Sequence, residues 1–101
     1  MTTEGSTGAR KQHIIVVEDD SDIANLLHLE LQEAGFRVET HATGMSGLAA
    51  VRESKPDLVI LDLGLPDLSG AEIARRIRQT GDTPIIILTA ADDLSTKVEM
   101  L

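Results

Sequence analysis

The sequence predicts an α/β protein in which helices cover both faces of a parallel sheet, giving three layers. Two observations lead to this prediction. Short, continuous runs of aliphatic residues recur along the chain, and each is followed by a stretch whose apolar residues are spaced as on one face of a helix. This alternation is typical of parallel strands joined by right-handed helical crossovers. The predicted order of elements is βαβαβαβα.

The first half of the chain contains two predicted strands and two predicted helices. Residues 14–17 are a continuous β-branched run and predict a strand buried on both faces. Ser21 and Asp22 offer N-caps for a helix that apolar residues at helical spacing predict over residues 23–34. Gly35 can end this helix in the left-handed conformation. Residues 36–41 alternate, which predicts a second strand with one wetter face. A helix over residues 43–53 follows, weakened by two glycines.

The second half repeats the pattern. Residues 58–61 and 84–89 are apolar runs that predict the third and fourth strands. Between them, Ser69 is placed to cap a helix that Gly81 ends. A fourth helix is predicted from residue 92 or 93 to the end of the chain. Its apolar stripe consists of Leu94, Val98 and Leu101.

Length and composition indicate one small domain. The chain has 101 residues, of which 1–12 are polar and without periodicity and predict a flexible tail, leaving 13–101 as the domain. With 9 basic and 17 acidic residues the net charge is −8, which argues against nucleic-acid binding through phosphate contacts. The chain has no cysteine for a disulfide or thiolate site, and no apolar run long enough to span a membrane. We therefore expect a soluble cytoplasmic protein.

Functional groups follow three of the predicted strands. The first strand runs into Glu18, Asp19 and Asp20, the third ends in Asp62, and the fourth ends in Thr89. In a parallel sheet such strand ends meet at one edge, where chemistry gathers. Carboxylates held close together repel and need a proton or a cation, and oxygen ligands alone favour a hard cation such as Mg²⁺. A carboxylate beside Mg²⁺ can attack a phosphoryl group, and a hydroxyl can then bind a phosphoryl oxygen.

Simpler interpretations exist for each of these residues taken singly. An aspartate at a strand end is usually a loop cap, and we expect Asp20 to be the N-cap of the first helix. The three histidines, His13, His28 and His41, are not spaced as a ligand set and are predicted at the surface. It is the coincidence of three functional groups at three strand ends that favours a site.

Three segments together resemble the receiver domain of two-component response regulators. IIVVEDD resembles the family's first strand and acidic pair, LVILDLGLPDLSG its phosphoacceptor strand and loop, and PIIILTA its switch strand. The resemblance runs from Ile14 to the end of the chain. It implies a flavodoxin-like fold with strand order 2-1-3-4. It also implies that a histidine kinase donates a phosphoryl group to Asp62.

The resemblance also assigns roles around Asp62. It implies that Asp19 binds Mg²⁺ directly and that Glu18 does so directly or through water. Gly64 would offer the metal its backbone carbonyl. Thr89 would be the switch hydroxyl, with Ala90 next to the phosphoryl site.

One departure from the family is expected to matter. A receiver domain has five strands and five helices, whereas this chain ends at Leu101, inside the predicted fourth helix. The resemblance therefore implies a fragment without the fifth strand, its lysine and the fifth helix, impaired as a switch. Lys97 is not expected to replace that lysine, because it falls in the fourth helix. We predict self-association through the exposed edge of the fourth strand and the apolar face that the missing elements would cover.

Two other functions compete with a phosphorylation-switched signalling domain, which is not a turnover enzyme. One is a phosphatase of the haloacid-dehalogenase kind, which needs a second aspartate two residues after the nucleophile. This position is Gly64 here. The other is a structural or dimerising fragment without phosphoryl chemistry.

Overall fold

The computed structural model describes residues 11–89 and 97–100, and these form five strands and three helices. In chain order they are β1 (His13–Val17), α1 (Ser21–Glu33), β2 (Arg37–His41), α2 (Gly44–Ser54), β3 (Leu58–Asp62), α3 (Gly70–Thr80), β4 (Ile85–Thr89) and β5 (Lys97–Met100).

The strands form one sheet in the order β2-β1-β3-β4-β5. The first four are parallel, so the predicted order 2-1-3-4 is confirmed. β1 lies between β2 and β3 and is buried over all five residues. Burial of residues 14–17 confirms the prediction from their apolar run, whereas His13, which was predicted at the surface, is buried with them. The order reverses between β1 and β3, and the first acidic group lies directly after β1.

Helices pack on both faces of the sheet, and each face has its own core. On one face Ile15 and Leu61 pack with apolar residues of α2 and α3, including Leu48 and Ile73. On the other face a smaller cluster around Val16 contacts residues of α1. The three predicted layers are therefore confirmed. Because the α2–α3 side holds the larger core, we expect it to contribute most of the burial that stabilises the fold.

The helix starts are set by side chains that accept hydrogen bonds from the first turn. Asp20 caps α1, Thr43 caps α2 and Ser69 caps α3. The predictions for Asp20 and Ser69 are confirmed, whereas Ser21 and Asp22, which were also offered as caps, lie in the first turn of α1. Gly35 has a φ of 103°, which permits the turn between α1 and β2. In the part of the chain that the structure describes, no helix is long and apolar enough to cross a membrane.

The predicted fourth helix is wrong where the structure describes it. Residues 97–100 form β5, which pairs with β4 in antiparallel orientation, so that Lys97 and Val98 lie in a strand. The seven residues 90–96 between β4 and β5 are too few for the crossover that a parallel neighbour needs, which accounts for the reversed direction. The start of the predicted helix and Leu101 lie outside the described residues.

The prediction that β4 exposes a free edge is also wrong. β5 pairs with β4 from Ile86 to Thr89, so that edge is covered by a hydrogen-bonded neighbour. On the face opposite α2 and α3, Leu58, Ile86 and Leu88 remain partly exposed. Self-association through that face stays a prediction.

Candidate functional site

The parallel strands deliver three acidic side chains to one edge of the sheet. Val17 is in register with Leu61, so Glu18 and Asp62, each one residue further on, emerge beside each other. Asp19 follows Glu18. Carboxylate oxygens of Glu18, Asp19 and Asp62 lie within 4.8 Å of one another. The sequence-predicted convergence of these three residues is therefore what the structure contains.

The three carboxylates differ in their contact with solvent. Glu18 is only 6% exposed, Asp62 is half-buried and Asp19 is exposed. The edge thus offers oxygen ligands at graded depths, with the deepest group against the core and the shallowest open to water. Such an arrangement lets a small cation or substrate enter from the Asp19 side.

Glu18 is fixed in place by the backbone around it. Its amide donates to the carbonyl of His41 at 2.9 Å, and its Oε2 accepts from the amide of Asp20 at 3.0 Å. Burial raises the pKa of Glu18, and the negative charges of Asp62 and Asp19 raise it further, whereas the Asp20 amide lowers it. An offsetting positive charge at this edge would relieve that repulsion.

The raised pKa of Glu18 predicts how stability depends on pH without divalent cations. A carboxyl with a raised pKa in the folded state favours folding at pH values below its ordinary 4.5, and this contribution is lost as pH rises through the raised value. Glu18→Gln removes the titration and keeps an acceptor for the Asp20 amide. We expect the stability advantage of Glu18→Gln over wild type to grow between pH 4.5 and neutrality, as measured by urea unfolding in EDTA. Parallel pH profiles for the two proteins would contradict it.

Asp20 does not belong to this cluster. Its Oδ1 accepts hydrogen bonds from the amides of Asp22 at 2.9 Å and Ile23 at 3.2 Å. The carboxylate is therefore engaged with the first turn of α1, where a negative charge also complements the helix dipole. This leaves a group of three acids and not four.

The loop between β3 and α3 brings Gly64 next to the cluster. A Cβ on Gly64 would lie 3.9 Å from Oδ2 of Asp62. The loop is held at its base, where the amide of Leu63 donates to the carbonyl of Leu88 at 3.4 Å and the amide of Gly70 donates to the carbonyl of Leu63 at 3.3 Å. Gly64 therefore lies beside Asp62 at the same edge, and a contact of its backbone carbonyl with a metal stays a prediction.

The switch residues are described only in part. Thr89 is the last residue of β4, adjacent in the sheet to the strand that ends at Asp62, and is in register with Lys97 of β5. Thr89 therefore lies at the same edge of the sheet as the three carboxylates, and the backbone of Lys97 lies next to it. Ala90 lies outside the described residues.

Asp67 was not singled out from the sequence, although its carboxylate accepts three backbone hydrogen bonds in the loop between β3 and α3. Its carboxylate accepts from the amides of Gly44, Met45 and Leu68. The donors Gly44 and Met45 precede it by more than twenty residues, so that no local pattern could have indicated this contact.

An open depression of about 530 Å³ lies at the opposite edge of the sheet, away from the carboxylates. It is formed by the ends of α2 and α3 and the turns that follow them. Its lining residues are Val51, Arg52, Lys55, Pro56, Thr80, Gly81, Asp82 and Thr83. Because helix carboxyl ends carry partial negative charge, the two basic residues complement the end of α2 and do not by themselves indicate an anion site.

Comparison with known proteins identifies the class. The family of response regulator receiver domains matches residues 14–101, and the chain belongs to this family. The transcriptional regulatory protein AfsQ1 of Streptomyces coelicolor is 48% identical over 80 residues, covering 79% of this chain and 36% of that protein. The response regulator ArlR of Staphylococcus aureus is 46% identical over 85 residues, covering 84% of this chain and 39% of that protein.

Solved structures agree with the fold. A CheY-like receiver domain from Methanospirillum hungatei superposes with a TM-score of 0.79 at 28% identity, covering 84% of this chain and 69% of that one. The response regulator TrrA of Thermotoga maritima, solved in complex with Mg²⁺-BeF, superposes with a TM-score of 0.77 at 41% identity, covering 80% of this chain and 71% of that one. This chain is a receiver domain of two-component signalling, and it spans less than two fifths of the length of the two curated relatives.

Proposed function

We propose that this chain accepts a phosphoryl group on Asp62, with Mg²⁺ held by Glu18, Asp19, Asp62 and the carbonyl of Gly64. The observation that carries the proposal is the set of three carboxylates whose oxygens lie within 4.8 Å of one another at the carboxyl edge of the sheet. The donor set contains oxygen only, which suits Mg²⁺.

Bound Mg²⁺ would neutralise charge on the carboxylates and on the incoming phosphoryl oxygens. In the proposed transfer, an oxygen of Asp62 forms a bond to phosphorus while the bond from phosphorus to the donor breaks, which leaves an acyl phosphate on Asp62. When the donor is the phosphohistidine of a histidine kinase, the leaving imidazole takes up a proton. Asp62 is suited to this attack because it is half-buried yet reachable beside exposed Asp19.

The roles of the remaining residues follow from their positions. Glu18, held by its two backbone contacts, would fix the metal side of the pocket, and Thr89 would donate a hydrogen bond to a phosphoryl oxygen. Gly64 has no side chain to act as an acid or base two residues after Asp62, which argues against a phosphatase of the haloacid-dehalogenase kind. We therefore propose a domain that is modified once and does not turn over a substrate.

A small phosphodonor tests the proposal without knowledge of the kinase. We expect the wild-type chain, incubated with acetyl phosphate and Mg²⁺, to gain the mass of one phosphoryl group, because Asp62 lies together with the carboxylates of Glu18 and Asp19. The modification should be absent in EDTA. It should also be removed by hydroxylamine, which cleaves acyl phosphates and leaves phosphoserine and phosphothreonine intact. No uptake at neutral pH would favour the alternative of a structural fragment.

A further inference from the structure

The loop that follows Asp62 is tied to α2 by one carboxylate. Oδ1 of Asp67 accepts a hydrogen bond from the amide of Gly44 at 2.7 Å, and Oδ2 accepts one from the amide of Met45 at 2.9 Å. The amide of Leu68 donates to Oδ1 at 3.0 Å, which holds the carboxylate in its own turn. Both oxygens of Asp67 are therefore engaged, and two of the three bonds reach another element.

These bonds complete the first turn of α2. Helix starts leave amides without partners inside the helix. Thr43, the N-cap, accepts from the amide of Ser46 at 3.2 Å, and its carbonyl accepts from Gly47. The amides of Gly44 and Met45 have no partner in Thr43, and both donate hydrogen bonds to the carboxylate of Asp67. These two donors lower the pKa of Asp67, so its carboxylate is charged at neutral pH and complements the helix dipole.

The approach of the loop to α2 is as close as the atoms allow. A Cβ on Gly44 would lie 2.5 Å from Cδ1 of Ile73 in α3 and 3.1 Å from Oδ1 of Asp67. Glycine at the first position of α2 thus leaves room for Ile73 of α3 and for the carboxylate of Asp67. The contact links three elements: α2, α3 and the loop between β3 and α3.

Asp67 also divides the loop into shorter spans. The loop is held at its two ends, by the amides of Leu63 and Gly70, and in its second half by Asp67. Gly64 lies between the first end and Asp67, beside the Asp62 carboxylate. Without the Asp67 contact, the residues between Leu63 and Ser69 would have no side-chain hydrogen bond to another element among those that the structure describes. Leu65 and Leu68 still pack in or against the main core, so loss of the Asp67 contact frees mainly the backbone between these packed residues. The entropy that this backbone gains must then be overcome by metal binding.

We propose that Asp67 is a positioning residue for the metal pocket, which acts by clamping the acceptor loop to α2 and so holding Gly64 beside Asp62. This inference rests on the proposed function, since it assigns Asp67 a role in the same site. Asp67 lies outside the set of three carboxylates proposed to hold the metal. Its role is that of an outer contact which orients a ligand, and loss of such contacts commonly weakens metal binding about 10-fold to 100-fold.

The test compares Asp67→Ala with Thr43→Ala, using Mg²⁺ alone as the probe. Both variants remove caps from the same turn of α2, but only Asp67→Ala releases the loop. We expect Asp67→Ala to weaken Mg²⁺ binding about 10-fold, as measured by the amide shift of Gly64 during an NMR titration. Thr43→Ala should change it less than about twofold, although each substitution lowers thermal stability as cap removal does.

Two further variants remove ambiguity. Asp22→Asn removes one negative charge from the first turn of α1 without touching the loop, so it measures the loss of affinity due to net charge alone, at 0.15 M salt. Asp67→Asn keeps one side-chain oxygen that can accept a hydrogen bond from α2, but its NH₂ group faces the second backbone amide and cannot accept from it. We therefore expect this variant to fold and still to bind Mg²⁺ several-fold more weakly than wild type. It replaces Asp67→Ala as the deciding variant should the alanine protein not fold.

The outcomes separate this inference from the proposed function. Weaker Mg²⁺ binding in the Asp67 variant than in both Thr43→Ala and Asp22→Asn supports the positioning role. Equal affinities in the Asp67 and Thr43 variants overturn it and leave Asp67 as a helix cap only, with the proposed metal pocket intact. Absence of Mg²⁺ binding in the wild-type chain overturns the metal pocket itself, and the positioning role with it.

Discussion

Replacing Asp62 by asparagine is expected to abolish phosphoryl uptake from acetyl phosphate completely. The amide nitrogen and neutral oxygen of asparagine are poor nucleophiles, and buried Glu18 cannot take over. Glu18 is 6% exposed and has its carboxylate turned to the Asp20 amide, so an incoming donor cannot reach it as it reaches Asp62. Intact-protein mass spectrometry in the presence of Mg²⁺ measures the effect.

The same substitution should stabilise the chain in the absence of divalent cations. Asp62 shares its edge of the sheet with Glu18 and Asp19, and the carboxylate oxygens of the three lie within 4.8 Å of one another. Removing one of the three charges relieves repulsion worth about 1 kcal/mol per pair in water. Urea unfolding in EDTA should therefore give a higher midpoint for Asp62→Asn than for wild type. Addition of Mg²⁺ should reduce the difference, because only the wild-type cluster gains a cation that its full charge attracts.

Asp20→Asn is the matched control for both measurements. It changes the same residue type at the same edge, but Asp20 is the N-cap of α1 and stands outside the cluster. Because asparagine is also a good N-cap, this variant should accept the phosphoryl group and unfold close to wild type. Continued uptake by Asp62→Asn, or its loss in Asp20→Asn, would place the acceptor elsewhere.

The sequence predicts the sheet and the acidic edge because both depend on local patterns. Continuous runs such as residues 58–61 are apolar on both faces, which only a central parallel strand requires. Once strands are parallel and adjacent, the residues that follow them must share an edge. The convergence of Glu18 with Asp62, 44 positions later, therefore follows from strand order and needs no knowledge of side-chain contacts.

The errors arise where a short pattern fits two structures. Val98 and Leu101 are spaced as on a helix, but Val98 and Met100 also alternate as in a strand, and the pairing of β5 with β4 decides between them. His13 was predicted at the surface, yet it is 3% exposed, because β1 lies between β2 and β3 and its first residue is covered with the rest. Its Nε2 lies 3.3 Å from Oε1 of Glu39 on β2. The strand over residues 97–100 and the burial of His13 both depend on neighbouring strands in the sheet, and the periodicity of the sequence carries no information about those neighbours.

Gly70 lies where the acceptor loop enters α3, and its substitution by alanine is expected to have the largest effect on stability. A Cβ there would lie 2.8 Å from Cα and from Cδ2 of Leu63 and 2.9 Å from the carbonyl oxygen of Asp62. Two of these three atoms belong to the backbone and cannot rotate away. Although alanine favours a helix over glycine by up to about 1 kcal/mol, the forced displacement should cost about 1–3 kcal/mol or more, giving net destabilisation.

The displacement should also reach the site, because the atoms that must move belong to Asp62 and Leu63. We therefore expect Gly70→Ala to weaken Mg²⁺ binding as well as to lower the midpoint of urea unfolding. Gly81→Ala is the control: it stands at the other end of α3, and a Cβ there meets nothing within 4 Å. It should unfold at or slightly above the wild-type midpoint and bind Mg²⁺ unchanged. If Gly70→Ala matched Gly81→Ala in both measurements, the loop would have to be compliant at its base, and the close packing of Gly70 against Leu63 would not be what fixes Asp62.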